Sequence, residues 1–104
     1  MAITSNPAII NGALITGQGI HSVLNVSAAT VVKAMRGRIV KVNVNTAGST
    51  VGLIYDHTTT SGVGAANLVG TIPDVVGTYT FDFPCGVGIV VVPGTDQVVS
   101  VSYN

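Results

Sequence analysis

Glutamate and tryptophan are absent from this 104-residue chain, cysteine occurs once, and charged residues make up only 8% of it. Each shortage excludes something. The lone cysteine, Cys85, leaves no intrachain disulfide to form, which removes the class of small secreted domains held together by disulfides. The core must therefore stabilise the fold unaided. Four Lys+Arg balance four Asp+Glu at a formal net charge of zero, so no long-range field steers the protein toward nucleic acid or an anionic membrane. Soluble domains usually carry about 25% charged residues, and a neutral, charge-poor surface favours association over isolation. Residues 1 to 15 contain no Lys or Arg and are interrupted by Asn6-Pro7 and Asn11-Gly12, unlike the basic start and apolar stretch of a signal peptide. The longest glycine-free apolar run, Ile89 to Pro93, is far short of the roughly 20 residues of a membrane helix. The expectation is a protein that neither follows the Sec route nor spans a membrane.

What is present is apolar and β-branched. Hydrophobic residues make up 47% of the chain and thirteen glycines punctuate it, a composition that suits pleated strands and weakens helices. In Arg38 to Asn45, Val40, Val42 and Val44 alternate with Lys41, Asn43 and Asn45, the period of a half-buried strand. In Thr78 to Phe83, Tyr79, Phe81 and Phe83 share one side, and in Gln97 to Tyr103, Val99, Val101 and Tyr103 do the same. Less regular strand candidates are Ile20 to Val26, Thr30 to Met35, Val51 to Tyr55, Asn67 to Ile72 and Ile89 to Val92, bounded by Gly and Pro. About eight short antiparallel strands with turns every 8 to 12 residues or so describe an all-β, single-domain β-sandwich with jelly-roll-like topology. The length fits one domain, read as a sandwich over residues 20–104 preceded by a candidate N-terminal arm over residues 1–19. That arm either reaches a neighbour or folds back as an edge strand.

Catalysis needs positioned titratable groups, and the chain offers only Asp56, Asp74, Asp82, Asp96, His21, His57 and Cys85. Asp56 and His57 are adjacent, so on a continuing strand they point to opposite sides and read as part of a solvated loop. Cys85 lies in the turn-like Phe83-Pro84-Cys85-Gly86 and reads as a small buried apolar residue. One Cys and two distant His give no metal spacing. Gly17-Gln18-Gly19, Gly62-Val63-Gly64 and Gly86-Val87-Gly88 do not complete a dinucleotide fingerprint and read as turns. No enzyme activity, cofactor or metal is expected.

All four basic residues, Lys33, Arg36, Arg38 and Lys41, fall within nine positions. With Arg36-Gly37-Arg38 as the tight turn of a hairpin they would gather at its tip and dock on acidic groups of a partner. The competing reading is a solvated hairpin partly paired with the four aspartates. The aromatics Tyr55, Tyr79, Phe81, Phe83 and Tyr103 all lie elsewhere, so the patch lacks the stacking platforms of a single-strand nucleic-acid binder.

The stretch Gly37-Arg38-Ile39-Val40-Lys41-Val42, followed by Thr46-Ala47-Gly48-Ser49, Ile54-Tyr55-Asp56, Ile72-Pro73, Phe83-Pro84 and Val92-Pro93-Gly94-Thr95, resembles small β-rich structural proteins of tailed bacteriophages. The resemblance runs from about Ala29 to Tyr103. In that group such modules serve as head decoration (cement) proteins or as fibre-associated domains. It implies a virion component on the capsid surface, made in the host cytoplasm, whose partners are the major capsid protein and further copies of itself, as a trimer by analogy. It carries over no site residue. A tail-fibre or receptor-binding module is the alternative, with Thr58 to Ala66 as its binding loop, and a small hydrolase is the least favoured reading.

Overall fold

The computed structural model of the chain describes residues 19–104, so the candidate arm lies, but for Gly19, outside the described residues. Eight strands follow in order: β1 (His21–Val26), β2 (Thr30–Lys33), β3 (Gly37–Thr46), β4 (Gly52–Tyr55), β5 (Leu68–Ile72), β6 (Gly77–Cys85), β7 (Ile89–Val92) and β8 (Val98–Tyr103). A single 3-10 turn, Ala65–Asn67, precedes β5. They form two four-stranded antiparallel sheets, ordered β1-β8-β3-β6 and β2-β7-β4-β5. First pairs with last and so inward: β1 with β8, β2 with β7, β3 with β6, β4 with β5. Residues 19–104 thus form one long antiparallel ribbon wrapped into two layers, which is the jelly-roll arrangement the sequence predicts.

The faces of the strands follow from the alternation. Val42 and Val44 of β3 and Val99 and Val101 of β8 meet Val32, Ile54, Ile72, Ile89 and Val91 of the facing sheet in one core, with Val26 and Cys85 at its margins. Lys41, Asn43 and Asn45 stay exposed on the opposite face of β3. The pairing register slips between Ile39 and Lys41, so Ile39 joins the core cluster in place of the expected Val40, which is buried outside that cluster. Tyr79 and Phe81 pack against the core, whereas Phe83, beyond the register shift at Asp82 on the edge strand β6, is 45% exposed. Gly70 of β5 lets Phe81 lie across it, since a Cβ there would sit 3.2 Å from the ring.

Both edges of the β1-β8-β3-β6 sheet are bent. Asn25 in β1 and Asp82 in β6 adopt left-handed backbone (φ 56° and 47°) within register shifts against β8 and β3. Asn and Asp tolerate this conformation better than other side chains, and bulged edges resist pairing with stray strands.

One expectation is corrected here. Arg36-Gly37-Arg38 is not a hairpin turn, because β2 pairs with β7 whereas β3 lies between β8 and β6 in the other sheet. Both sides of β3 are taken, so no edge is free for β2, and Ala34 to Arg36 instead crosses from sheet to sheet.

Candidate functional site

The crossover still gathers charge. At the end of the sandwich where β2 finishes and β3 begins, Lys33, Arg36 and Arg38 line a cleft of ≈ 460 Å³ together with Gly37, Pro84, Cys85, Gly86 and Asn104. The wall is built by pairing: Gly37 lies opposite Cys85 and Arg38 opposite Pro84, while Arg38 and Asn104 exchange backbone hydrogen bonds of 3.3 and 2.9 Å. Lys41 is not part of this group. It stands on the outer face of the sheet, in a shallow groove of ≈ 130 Å³ with Ser22, Leu24, Asn43, Ser100 and Ser102, because three residues beyond Arg38 the strand has carried it away from the end.

Of the three clustered cations, Arg38 is paired. Its guanidinium donates to both the carboxylate and the backbone carbonyl of Asp82 at 3.1 Å, a contact that the bulge at Asp82 makes reachable. This is the one salt bridge among the described residues, and with both side chains partly exposed it contributes at most about 1 kcal/mol. Lys33 and Arg36 have no carboxylate within ion-pair distance among the described residues.

Asp56 lies in the loop after β4, partly exposed, but its carboxylate is tied down. Its carboxylate accepts the backbone N–H of Gly86 (2.9 Å), Val87 (2.8 Å) and Gly88 (3.1 Å), tying the β4–β5 loop to the β6–β7 turn behind the cleft. Burial pushes its pKa up, but the three N–H donors, with His57 nearby, more than offset this and hold it below the ordinary carboxylate value. Gly88 is required here because a Cβ would strike the His57 carbonyl. The sequence carries the signal for this anchor in Gly86-Val87-Gly88: successive N–H groups in a glycine turn form a concavity for an anion, and the anion is the protein's own.

The other titratable groups have their own surroundings. Burial, and then the negative charge of Asp56, push the Cys85 thiol up to about 11, so at neutral pH it is protonated and a poor nucleophile. His57 Nδ1 accepts the Thr59 N–H at 3.1 Å, and His21 packs its ring against Tyr103 with centroids 5.4 Å apart. No group of three or more His, Cys, Asp or Glu side chains suited to a metal occurs among the described residues, and none of their helices is long and apolar enough to cross a membrane.

At the opposite end, sequence reasoning missed Gln97. Its side chain is fully buried; Oε1 accepts the Gly94 N–H at 3.0 Å and Nε2 donates to the Pro73 carbonyl at 2.8 Å. It joins the β5–β6 and β7–β8 loops and lies against Gly52 at the start of β4. The signal was there in the alternation: Gln97 opens the strand candidate in phase with Val99 and Val101, the side that proves buried.

The fold and its ends define the class of protein, an eight-stranded jelly roll with a cationic cleft at one pole. No family model, curated protein or solved structure matches the chain.

Proposed function

We propose that the chain is a structural protein of a tailed-phage virion, a head decoration (cement) protein that binds the outer shell and stabilises it by bridging capsid subunits. The observation that carries this reading is a jelly roll that exposes large apolar side chains at both ends, among them Met35, Val75, Val76 and Val87, on a chain with only 8% charged residues. Jelly rolls recur in viral capsid proteins and lectins, which gives the class by analogy of fold. The surface gives the activity: it is suited to contact rather than to chemistry, and exposed apolar clusters mark interaction sites. The cleft of Lys33, Arg36 and Arg38 supports docking on acidic groups of neighbouring subunits. Copies that are linked to one another and each hold the shell gain by effective concentration, so modest contacts suffice. A ligand specific for the assembled shell shifts the equilibrium away from disassembly.

A fibre-associated module is the second reading, favoured by the exposed Thr59-Thr60-Ser61-Gly62 segment between β4 and β5, though this segment offers no aromatic to stack on a sugar. Co-sedimentation of purified protein with expanded capsids and with unexpanded procapsids separates the two. Saturable, stoichiometric binding to expanded shells is the expected result. Binding to neither particle overturns the cement reading and moves the protein to the fibre, where host-cell adsorption is measured next.

A further inference from the structure

The two poles of the sandwich differ in sign. At one, Lys33 and Arg36 line the cleft with no carboxylate within ion-pair distance among the described residues, and the exposed side chains of Met35, Val87 and Ile20 stand at the same end of the sandwich. Ile20 belongs to the rim because its N–H donates to the Asn104 side chain at 3.2 Å. Two acids lie at this end without pairing to Lys33 or Arg36: Asp82 is engaged by Arg38, and Asp56, held ionised, turns both oxygens to backbone N–H groups, so three cations face two carboxylates and the balance stays positive. At the other pole Asp74 and Asp96 lie on the loops that Gln97 joins, beside the exposed Val51, Val75 and Val76. No basic side chain lies within ion-pair distance of either among the described residues. Each pole thus combines two unpaired like charges with three exposed apolar side chains, and the signs are opposite.

We propose that the cationic pole of one molecule receives the acidic pole of a second copy, so that the protein associates head to tail. The inference rests on reading the cleft as a partner contact, and it names the partner. A second copy is the occupant that satisfies both poles at once, because it carries Asp74 and Asp96 at one end and Lys33 and Arg36 at the other. The two surfaces are different, so the contact is heterologous and propagates, closing into a ring or continuing as a row. Three apolar side chains a side make a small interface, hence a weak and concentration-dependent one, and its charges make it salt-sensitive.

Sedimentation velocity of the full chain is followed from about 10 μM to about 1 mM, the range a small interface implies. Wild type is expected to shift from monomer to larger species, less so at high salt. Lys33→Glu/Arg36→Glu and Asp74→Lys/Asp96→Asn are each expected to weaken association at least about fivefold, and mixing the two restores it. Asn is used at position 96 because that residue is left-handed (φ 64°). A wild type that stays monomeric, or variants that associate like wild type, overturns the proposal. The same variants are assayed on expanded capsids. Loss of shell binding by Lys33→Glu/Arg36→Glu with a monomeric wild type assigns the cleft to the shell and sinks only the second-copy inference. Self-association without shell binding leaves this inference standing and removes the virion reading.

Discussion

Replacing Gln97 tests whether one buried amide holds the acidic pole together. In Gln97→Leu the volume is nearly kept, but the Gly94 N–H and the Pro73 carbonyl lose their partners at 3.0 and 2.8 Å. Because the side chain is fully buried, water does not replace it, and each stranded group costs about 1–3 kcal/mol. Leu offsets part of this by its own burial, leaving a net loss of about 2–4 kcal/mol; Gln97→Ala adds a void and reaches about 3–5 kcal/mol. For a domain of this size each kcal/mol moves Tm by about 4–8 °C, so even the Leu variant should melt roughly 10 °C or more below wild type in a circular-dichroism scan. Gln97→Glu separates hydrogen bonding from shape. Ionised, it sets an oxygen against the Pro73 carbonyl; protonated, it can donate there. Its folded pKa is therefore raised, so its stability is greatest below the unfolded Glu value of about 4.3 and is lost as pH rises through the folded one. If Gln97→Leu melts within about 4 °C of wild type, the amide is not the fastener described.

Two further perturbations probe the cationic end. Asp56→Ala removes a carboxylate bonded to three backbone N–H groups and should cost about 1–3 kcal/mol by chemical denaturation; since the folded pKa of Asp56 lies below its unfolded value, its contribution is present above about pH 4 and is lost as pH falls through the folded pKa. An acid-denaturation profile for Asp56→Asn that matches wild type would contradict this. Cys85, buried and with its pKa raised to about 11, should resist a thiol-specific reagent at pH 8 and react promptly in denaturant. Its raised pKa contributes stability that is complete below the ordinary thiol value and declines as pH climbs toward 11, so Cys85→Ala should flatten the alkaline arm of the stability curve; fast labelling of the native protein would refute the burial.

Much of the fold was legible along the chain. Val42, Val44, Val99 and Val101 advertise their faces by period-two spacing, and Pro73, Gly77, Pro93 and Gly94 advertise where strands stop. The site was half legible. The spacing of Lys33, Arg36 and Arg38 pointed to a cluster, yet the hairpin assumed to hold them was wrong and Lys41 did not belong to it. The partnerships of Asp56 and Gln97 were illegible because the groups they meet lie some thirty residues away in one case and across a turn and a second loop in the other.

The sequence by itself determined that the chain is all-β, where its eight strands run and, away from the bulges, which side chains face inward, because alternation and turn chemistry act between near neighbours. Only the tertiary structure decided which strands pair. β1 meets β8 and β2 meets β7 because an entire ribbon wraps to bury its two apolar faces against each other, and the energy of that choice is spread over residues far apart in the chain. The same wrapping sends every cation but Lys41 to one pole and two of the four aspartates to the other, a separation of charge that no local pattern encodes.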